Sequence, residues 1–191
     1  MCLLIADVSG HGIGAALVAS MLKVAFAAQA HCLSDPARVL FGLNQVLLHK
    51  LGTNFITAGC RFVDSDAGSF RYAGAGHPPL LLYRRRERRM LEICENGLML
   101  GLLPQASYKT LEMNLESGDR MFLYTDGILE TRNGADAFFG DDRFRNFIQT
   151  HGDLPPDRFA DEILLDLFAW SGKSPGKTLD DHVTLLIIDR S

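Results

Sequence analysis

The spacing of hydrophobic residues changes several times along the chain, and each change marks an element. Met1-Cys-Leu-Leu-Ile-Ala-Asp7 is apolar at consecutive positions up to an acid, the pattern of a buried strand. A glycine-containing turn follows, Ser9-Gly10-His11-Gly12. Leu17, Met21, Val24, Ala25 and Ala28 then recur at helical spacing and predict a helix with these residues inward. Ser34-Asp35-Pro36 is a helix start signal, with proline suited to the first turn. The helix it opens carries Val39, Leu40, Leu43, Val46, Leu47 and Leu51 on its predicted buried side. From Asn54 the period becomes two. Phe55 to Val63 predicts a strand, residues 64–68 a turn, and Ser69 to Ala75 the hairpin partner. Gly74-Ala-Gly-His-Pro-Pro79 breaks the alternation. Leu80 to Tyr83 and Met90 to Ile93 predict a second hairpin around a charged tip, and Tyr108 to Leu115 with Arg120 to Tyr124 a third. Helices are predicted near Asp141 to Thr150 and over Pro156 to Trp170, the latter with Phe159, Ile163, Leu164 and Leu167 on one face. A polar loop, Ser171 to Leu179, precedes a last strand, Val183 to Ile188. Consecutive hairpins mean antiparallel pairing, so the predicted class is α+β rather than a doubly wound parallel sheet. No internal repeat or low-complexity segment interrupts this order.

Composition narrows the function classes. A length of 191 residues suits one domain. A hydrophobic content of 47% excludes a mostly disordered chain. The longest apolar stretch, Ile13 to Ala30, is broken by Ser20, Lys23 and Gln29. It falls short of the ~18 uninterrupted apolar residues that span a bilayer, so no membrane segment is predicted. Nineteen Lys and Arg against 23 Asp and Glu give a net charge of −4, which argues against a nucleic-acid partner. Arg84-Arg-Arg-Glu-Arg-Arg89 is a local exception. It reads as a solvated hairpin tip or, alternatively, as a docking patch for an acidic protein; no aromatic residues interleave to stack bases. Cys2, Cys32, Cys60 and Cys94 form no CxxC pair, so neither a zinc knuckle nor a disulfide scaffold is indicated. Cys2 and Cys60 lie in apolar runs and read as buried free thiols, with a cytoplasmic location expected. The start lacks the basic region of a signal peptide. A buried strand with no lead-in predicts that the natural domain extends upstream of residue 1.

Three carboxylates share one kind of position. Asp7 ends an apolar strand, Asp126 follows Met121-Phe-Leu-Tyr124 by one threonine, and Asp181 comes just before the last strand. Strand ends lie at the rim of a sheet, so three strands can deliver three acids to one rim pocket. Such acids repel one another, and a cation offsets the repulsion. Oxygen ligands without Cys or His favour a hard ion such as Mg²⁺ or Mn²⁺. Taken singly, Asp126-Gly127 also reads as an ordinary turn and Asp180-Asp181 as an ordinary loop.

A family pattern runs through the same residues. Asp7-Val-Ser-Gly-His-Gly12 with Ala15-Ala-Leu17, Ala73-Gly-Ala-Gly-His-Pro-Pro79, Gly97-Leu-Met-Leu-Gly101, Tyr124-Thr-Asp-Gly127 with Glu130, and Asp181-His-Val-Thr184 occur in that order. The chain resembles the SpoIIE-type (RsbU-type) branch of the metal-dependent Ser/Thr protein phosphatases, bacterial relatives of the type 2C enzymes, over nearly its whole length. The resemblance implies an α+β fold, a sandwich of two antiparallel sheets flanked by helices, with two metal ions at one rim. Carried over by position, Asp7 resembles the aspartate that bridges both metals, and the Val8 carbonyl the backbone ligand beside it. Asp126 and Asp181 resemble the further carboxylate ligands. Asp180 is left as a neighbour, because Asp181 stands three residues before Thr184, as the family's Asp-x-x-Thr pattern requires. The family also has an earlier strand with a Gly-Gly-Asp segment, which this sequence begins too late to contain.

The implied activity is hydrolysis of phosphoserine or phosphothreonine on a regulatory protein by a hydroxide bridging two divalent metals, Mn²⁺ or Mg²⁺. Such ions sit roughly 3.5–4 Å apart and lower the pKa of water from about 15.7 towards about 7. The implied substrate is a phosphorylated STAS-type anti-sigma-factor antagonist, and the implied neighbour an upstream sensor or receiver domain. The alternatives are a catalytically weak or inactive regulatory module that binds its partner, and a small-molecule phosphatase. Competing motifs are weaker. Ser9-Gly-His11 lacks the flanks of a nucleophile elbow, and Gly10 to Gly14 has no Lys-Ser/Thr and is no P-loop. His11 reads as a structural hydrogen-bonding group or as a proton donor to the leaving serine. His77 reads as a group that fixes the turn before Pro78.

Overall fold

The computed structural model describes all residues except Ser65, Gly176, Asp180 and Ser191. Parts of the expected 64–68 turn and 171–179 loop, and Asp180 itself, lie outside the described residues. The chain divides into two compact units, residues 1–79 with 94–115 and residues 80–93 with 116–191. Among the described residues, no helix is long and apolar enough to cross a membrane.

The first unit holds a five-stranded sheet. Its strands are β1 (Cys2–Val8), β2 (Ile56–Asp64), β3 (Ser69–Ala75), β6 (Asn96–Gly97) and β7 (Leu111–Asn114). β1 pairs antiparallel with β2, placing Asp7 opposite Thr57 and Val8 opposite Ile56. β2 and β3 form the expected hairpin. The two-residue strand β6 escapes the sequence periodicity and lies parallel to β3. Gly74 admits it, because a Cβ there would lie 2.9 Å from the Glu95 carbonyl and 2.7 Å from Asn96 Oδ1.

Helices α1 (Gly12–Ala27) and α2 (Pro36–Leu47) belong to this unit. α2 begins where its start signal stands: the Asp35 carboxylate accepts from the Arg38 N–H, and Pro36 opens the helix. Val39, Leu40, Leu43 and Leu47 are buried, whereas Val46 is exposed. They pack with Ile56, Ala58, Cys60 and Ala73 in the unit's core. α1 corrects its predicted face. Val18, Leu22 and Ala25 are inward, while Leu17 and Val24 are 62% and 71% exposed. The cysteines are all free thiols. Cys60 is buried, Cys2 half-buried and Cys94 exposed, with the Cys2 and Cys60 Sγ atoms 3.9 Å apart.

The second unit holds four strands in the order β5-β4-β8-β9, with β4 (Leu80–Arg84), β5 (Arg89–Ile93), β8 (Arg120–Tyr124) and β9 (Leu185–Asp189). β4 and β5 form the expected hairpin. The expected pairing of residues 108–115 with 120–124 is not formed. β7 instead pairs with β3 of the first unit's sheet, and β8 pairs with β4 and β9. All five residues of β8 are buried, which suits a central strand, whereas β7 alternates between half-buried and exposed. Helices α3 (Gly140–His151) and α4 (Pro156–Ser171) complete the unit. Phe144, Phe147, Phe159, Ile163 and Leu167 pack with Phe122 and Tyr124 in its core. Leu164, expected inward, is 39% exposed.

One buried cation braces this unit. Arg120 is 1% exposed and donates to both Asp189 carboxylate oxygens at 2.6 and 2.7 Å and to the Gly152 carbonyl at 3.0 Å. The Arg120 hydrogen bond holds the Asp189 carboxyl below the usual carboxylate range. A depressed folded pKa contributes stability above the unfolded pKa and loses it as pH falls through the folded pKa. Asp189→Asn is therefore expected to destabilise the protein at neutral pH by about 1–2 kcal/mol, allowing for the partial exposure of Asp189. In thermal melts the difference from wild type should shrink as pH falls below about 4.

Candidate functional site

Asp7 is the penultimate residue of β1, and the chain leaves that strand through a tight turn hydrogen-bonded at Ser9. The Ser9 N–H donates to the Phe55 carbonyl at 3.0 Å, and the Phe55 N–H donates to Ser9 Oγ at 2.8 Å. The Asn54 amide donates to the Ser9 carbonyl. Gly10 and Gly12 have φ of +85° and +80°, a region that favours glycine. These bonds give Ser9 a structural role and remove support for reading it as a nucleophile. His11 is exposed and stands at the N-cap of α1, and its side chain makes no capping bond.

Asp126 and Asp181 are brought together in the second unit. Asp126 leaves β8 after Thr125, and Asp181 stands four residues before β9. Between them runs a clamp made by two threonines. The Thr125 N–H donates to the Thr184 carbonyl, and the Thr184 N–H donates to Thr125 Oγ1, both at 3.1 Å. The Thr125 hydroxyl donates in turn to the His182 carbonyl at 3.3 Å. Gly127 completes the approach. A Cβ on this residue would lie 2.3 Å from the His182 carbonyl oxygen, so the 181–183 segment fits against the Asp126 turn only when residue 127 has no side chain. The sequence motifs contain both threonines, yet without the clamp nothing assigned them a role. Their sequence signals are the position of Thr125 directly before Asp126 and the Asp-x-x-Thr spacing that ends at Thr184.

The electrostatics follow from this geometry. Burial pushes the Asp126 carboxyl up, and the Asp181 charge pushes it further. Hydrogen bonds from the backbone N–H groups of Asp126 and Gly127 oppose the shift. Asp181 is half-exposed and accepts the His182 N–H at 2.7 Å. The 95% exposed His182 ring lies 3.9 Å from the same oxygen. No basic group is among the influences that raise or lower Asp126. Two neighbouring carboxylates, one raising the other, suit a hard divalent ion. Within either unit, among the described residues, no three His, Cys, Asp or Glu side chains form a metal-binding group. Asp7 and the Val8 carbonyl are carried by the first unit.

A family model described as Stage II sporulation protein E (SpoIIE) matches residues 1–191. The chain belongs to the SpoIIE family. Among curated relatives, phosphoserine phosphatase RsbU of Bacillus subtilis (strain 168) is 31% identical over 187 residues, covering 97% of this chain and 54% of RsbU. The SpoIIE-family chain thus spans about half the length of that relative. Among solved structures, the SiaA-PP2C domain of Pseudomonas aeruginosa superposes with a TM-score of 0.85 at 24% identity, covering all of this chain and 76% of that one. RsbX, solved in complex with magnesium, gives a TM-score of 0.66 at 20% identity, covering 97% of this chain and 79% of RsbX. These likenesses show the PP2C phosphatase fold, in agreement with the α+β class read from the sequence.

The raised Asp126 carboxyl fixes the sign of a pH effect. A carboxyl whose folded pKa is raised contributes stability below its unfolded pKa and loses it as pH rises through the folded pKa. Ionised Asp126 therefore works against the fold at neutral pH. Without divalent cations, Asp126→Asn is expected to melt above wild type at pH 7. The gap should close as pH falls through the range in which the raised Asp126 carboxyl takes up its proton. Thermal melts of both proteins in chelator across this range check it.

Proposed function

We propose that residues 1–191 act as one phosphatase domain that hydrolyses phosphoserine or phosphothreonine on a regulatory protein, with a STAS-type anti-sigma-factor antagonist as the substrate class. The observation that carries the reading is the Asp126–Asp181 pair, two repelling acids held at adjoining strand ends by the Thr125–Thr184 clamp. Family membership supports the chemistry, and so does the naming of its relative RsbU as a phosphoserine phosphatase. The magnesium in RsbX supports a hard divalent ion as the cofactor.

In this reading Asp7, the Val8 carbonyl, Asp126 and Asp181 hold Mn²⁺ or Mg²⁺, with two ions expected. When bound, such ions offset the charge of a phosphate dianion and make water a stronger acid. The chain's own residues supply placement. Asp126 and Asp181 provide neighbouring negative charges that a bound cation would offset. Gly127 lets the segment carrying Asp181 approach, and the Thr125 hydrogen bonds keep it there. The Ser9 hydroxyl accepts a backbone N–H in the turn after Asp7 and so steadies the strand end.

Phosphate release from p-nitrophenyl phosphate and from a phosphorylated STAS protein, with and without Mn²⁺, tests the proposal. Wild type should turn over both in a Mn²⁺-dependent manner. Asp126→Asn should lower the rate more than about 100-fold, since it removes a charged ligand. Full Mn²⁺-dependent turnover by Asp126→Asn would overturn the site. Partner binding without any Mn²⁺-dependent rate would point instead to a regulatory binding module.

A further inference from the structure

We propose that Thr57 and His77 are positioning residues for Asp7, and that they fix the orientation of its carboxylate through a hydrogen-bonded chain. The inference rests on reading Asp7 as a metal ligand. Asp7 and Thr57 face each other across the β1–β2 ladder. Directly opposed side chains lie on the same face of a sheet, with Cβ atoms roughly 4.5–5.5 Å apart. Thr57 is therefore the nearest lateral neighbour of Asp7 on the adjoining strand. Its hydroxyl lies 3.0 Å from His77 Nδ1, and both residues are buried, at 8% and 3% exposure.

The imidazole is placed by its surroundings. Gly76 has a φ of +67°, and its backbone bridges to Ala58, the residue after Thr57. The Asn96 amide donates to the His77 carbonyl at 2.8 Å. At Gly59 a Cβ would lie 3.3 Å from His77 Cδ2, so the ring packs closely over bare backbone. The turn at Gly76-His77 is thus also held by a glycine and by an asparagine on the backbone, and the ring adds its bond to Thr57 on β2.

Proton counting gives the ring its role. A threonine hydroxyl has one hydrogen and two lone pairs. When the His77 proton sits on Nδ1, the ring donates to Thr57 Oγ1, and the hydroxyl hydrogen is left for the acceptor across the ladder, Asp7. When the proton sits on Nε2, Thr57 must donate to Nδ1, and Asp7 receives nothing from it. His77 carries its proton on Nδ1. Carboxylates that bind metal are themselves held by hydrogen bonds, and loss of such a partner typically weakens metal affinity 10- to 100-fold.

Mn²⁺ titration of the 1–191 chain, following free Mn²⁺ by its electron paramagnetic resonance signal, tests this without reference to turnover. Thr57→Val and His77→Phe should each raise the half-saturating Mn²⁺ concentration about 10- to 100-fold. Thr57→Ser restores the hydroxyl, and His77→Asn places an amide N–H near the Nδ1 position. Both should stay within about threefold of wild type. The double variant Thr57→Val with His77→Phe should lose no more than either alone, because one chain is broken once. Asp7→Asn separates the two layers of the argument. If Asp7→Asn loses Mn²⁺ while Thr57→Val and His77→Phe bind like wild type, the positioning role is overturned and Asp7 stands as a ligand. If Asp7→Asn binds Mn²⁺ like wild type, the assignment of Asp7 itself fails. Lower melting temperatures with unchanged Mn²⁺ affinity would mark Thr57 and His77 as merely structural and overturn the proposal. Should one of the two substitutions prevent folding, the other decides.

Discussion

The second unit is built around a repulsion that the chain does not let relax. Asp126 and Asp181 would separate if the ends of β8 and β9 were free to do so, because burial and like charge both oppose ionisation of Asp126. Three local features prevent it. The reciprocal Thr125–Thr184 hydrogen bonds fasten the segment before β9 to the end of β8. The absent side chain of Gly127 lets the His182 carbonyl come within what would be 2.3 Å of a Cβ. Behind both, the β8–β9 ladder keeps Tyr124 opposite Leu185. An unfavourable charge arrangement held by well-made neutral contacts is characteristic of sites kept for binding rather than for stability.

Much of the fold was legible because most segments had one consistent signal. β3 matches its predicted range, the β4–β5 hairpin surrounds its charged tip, and α2 starts at Pro36. Two failures share a cause, a pattern that did not select among alternatives. α1 carries Ile13, Leu17, Val18, Met21, Leu22, Val24 and Phe26, which are apolar on nearly every side. Periodicity alone could not say that Val18, Leu22 and Ala25 would be inward. The short connection between residues 115 and 120 suggested a hairpin, yet length only permits a hairpin and does not require one. β8 is buried along its whole length and needs neighbours on both sides, which β4 and β9 supply. β7 finds a better partner in β3, where Glu112 meets Arg71 at 3.0 Å.

Charges show how far local sequence carries. The run from Arg84 to Arg89 left a solvated tip and an acidic-partner patch as alternatives. Within the unit, Arg84 pairs with Asp119 and Glu116, and Arg85 and Arg88 both reach Asp153. Those pairs answer much of the local positive charge and favour the solvated tip. Sequence gave no sign of the buried arginines. Arg61 is fully buried beside Cys2 and Cys60, and burial pushes its guanidinium pKa down to about 10. Arg120 finds its anion 69 residues away, at Asp189. A buried cation is tolerable only where distant partners converge on it, and convergence of that kind is invisible in a window of neighbouring residues.

The candidate site divides along the same line. Its candidate acids can be picked out of the sequence because each flanks an apolar strand, and the structure brings Asp126 and Asp181 together. Their supports cannot be picked out so, because each comes from a residue remote in sequence. Thr125 and Thr184 are 59 residues apart, and Thr57 and His77 are 20 apart. The spacing from Asp181 to residue 184, though not the threonine side chain there, thereby gains a physical cause. What residue 184 contributes to the clamp is its backbone N–H and carbonyl, both spent on Thr125. The residue three places earlier is then carried past Gly127 to the neighbourhood of Asp126. The motif thus specifies a strand end pinned at one point, with its acid at a fixed distance along the chain from the pin.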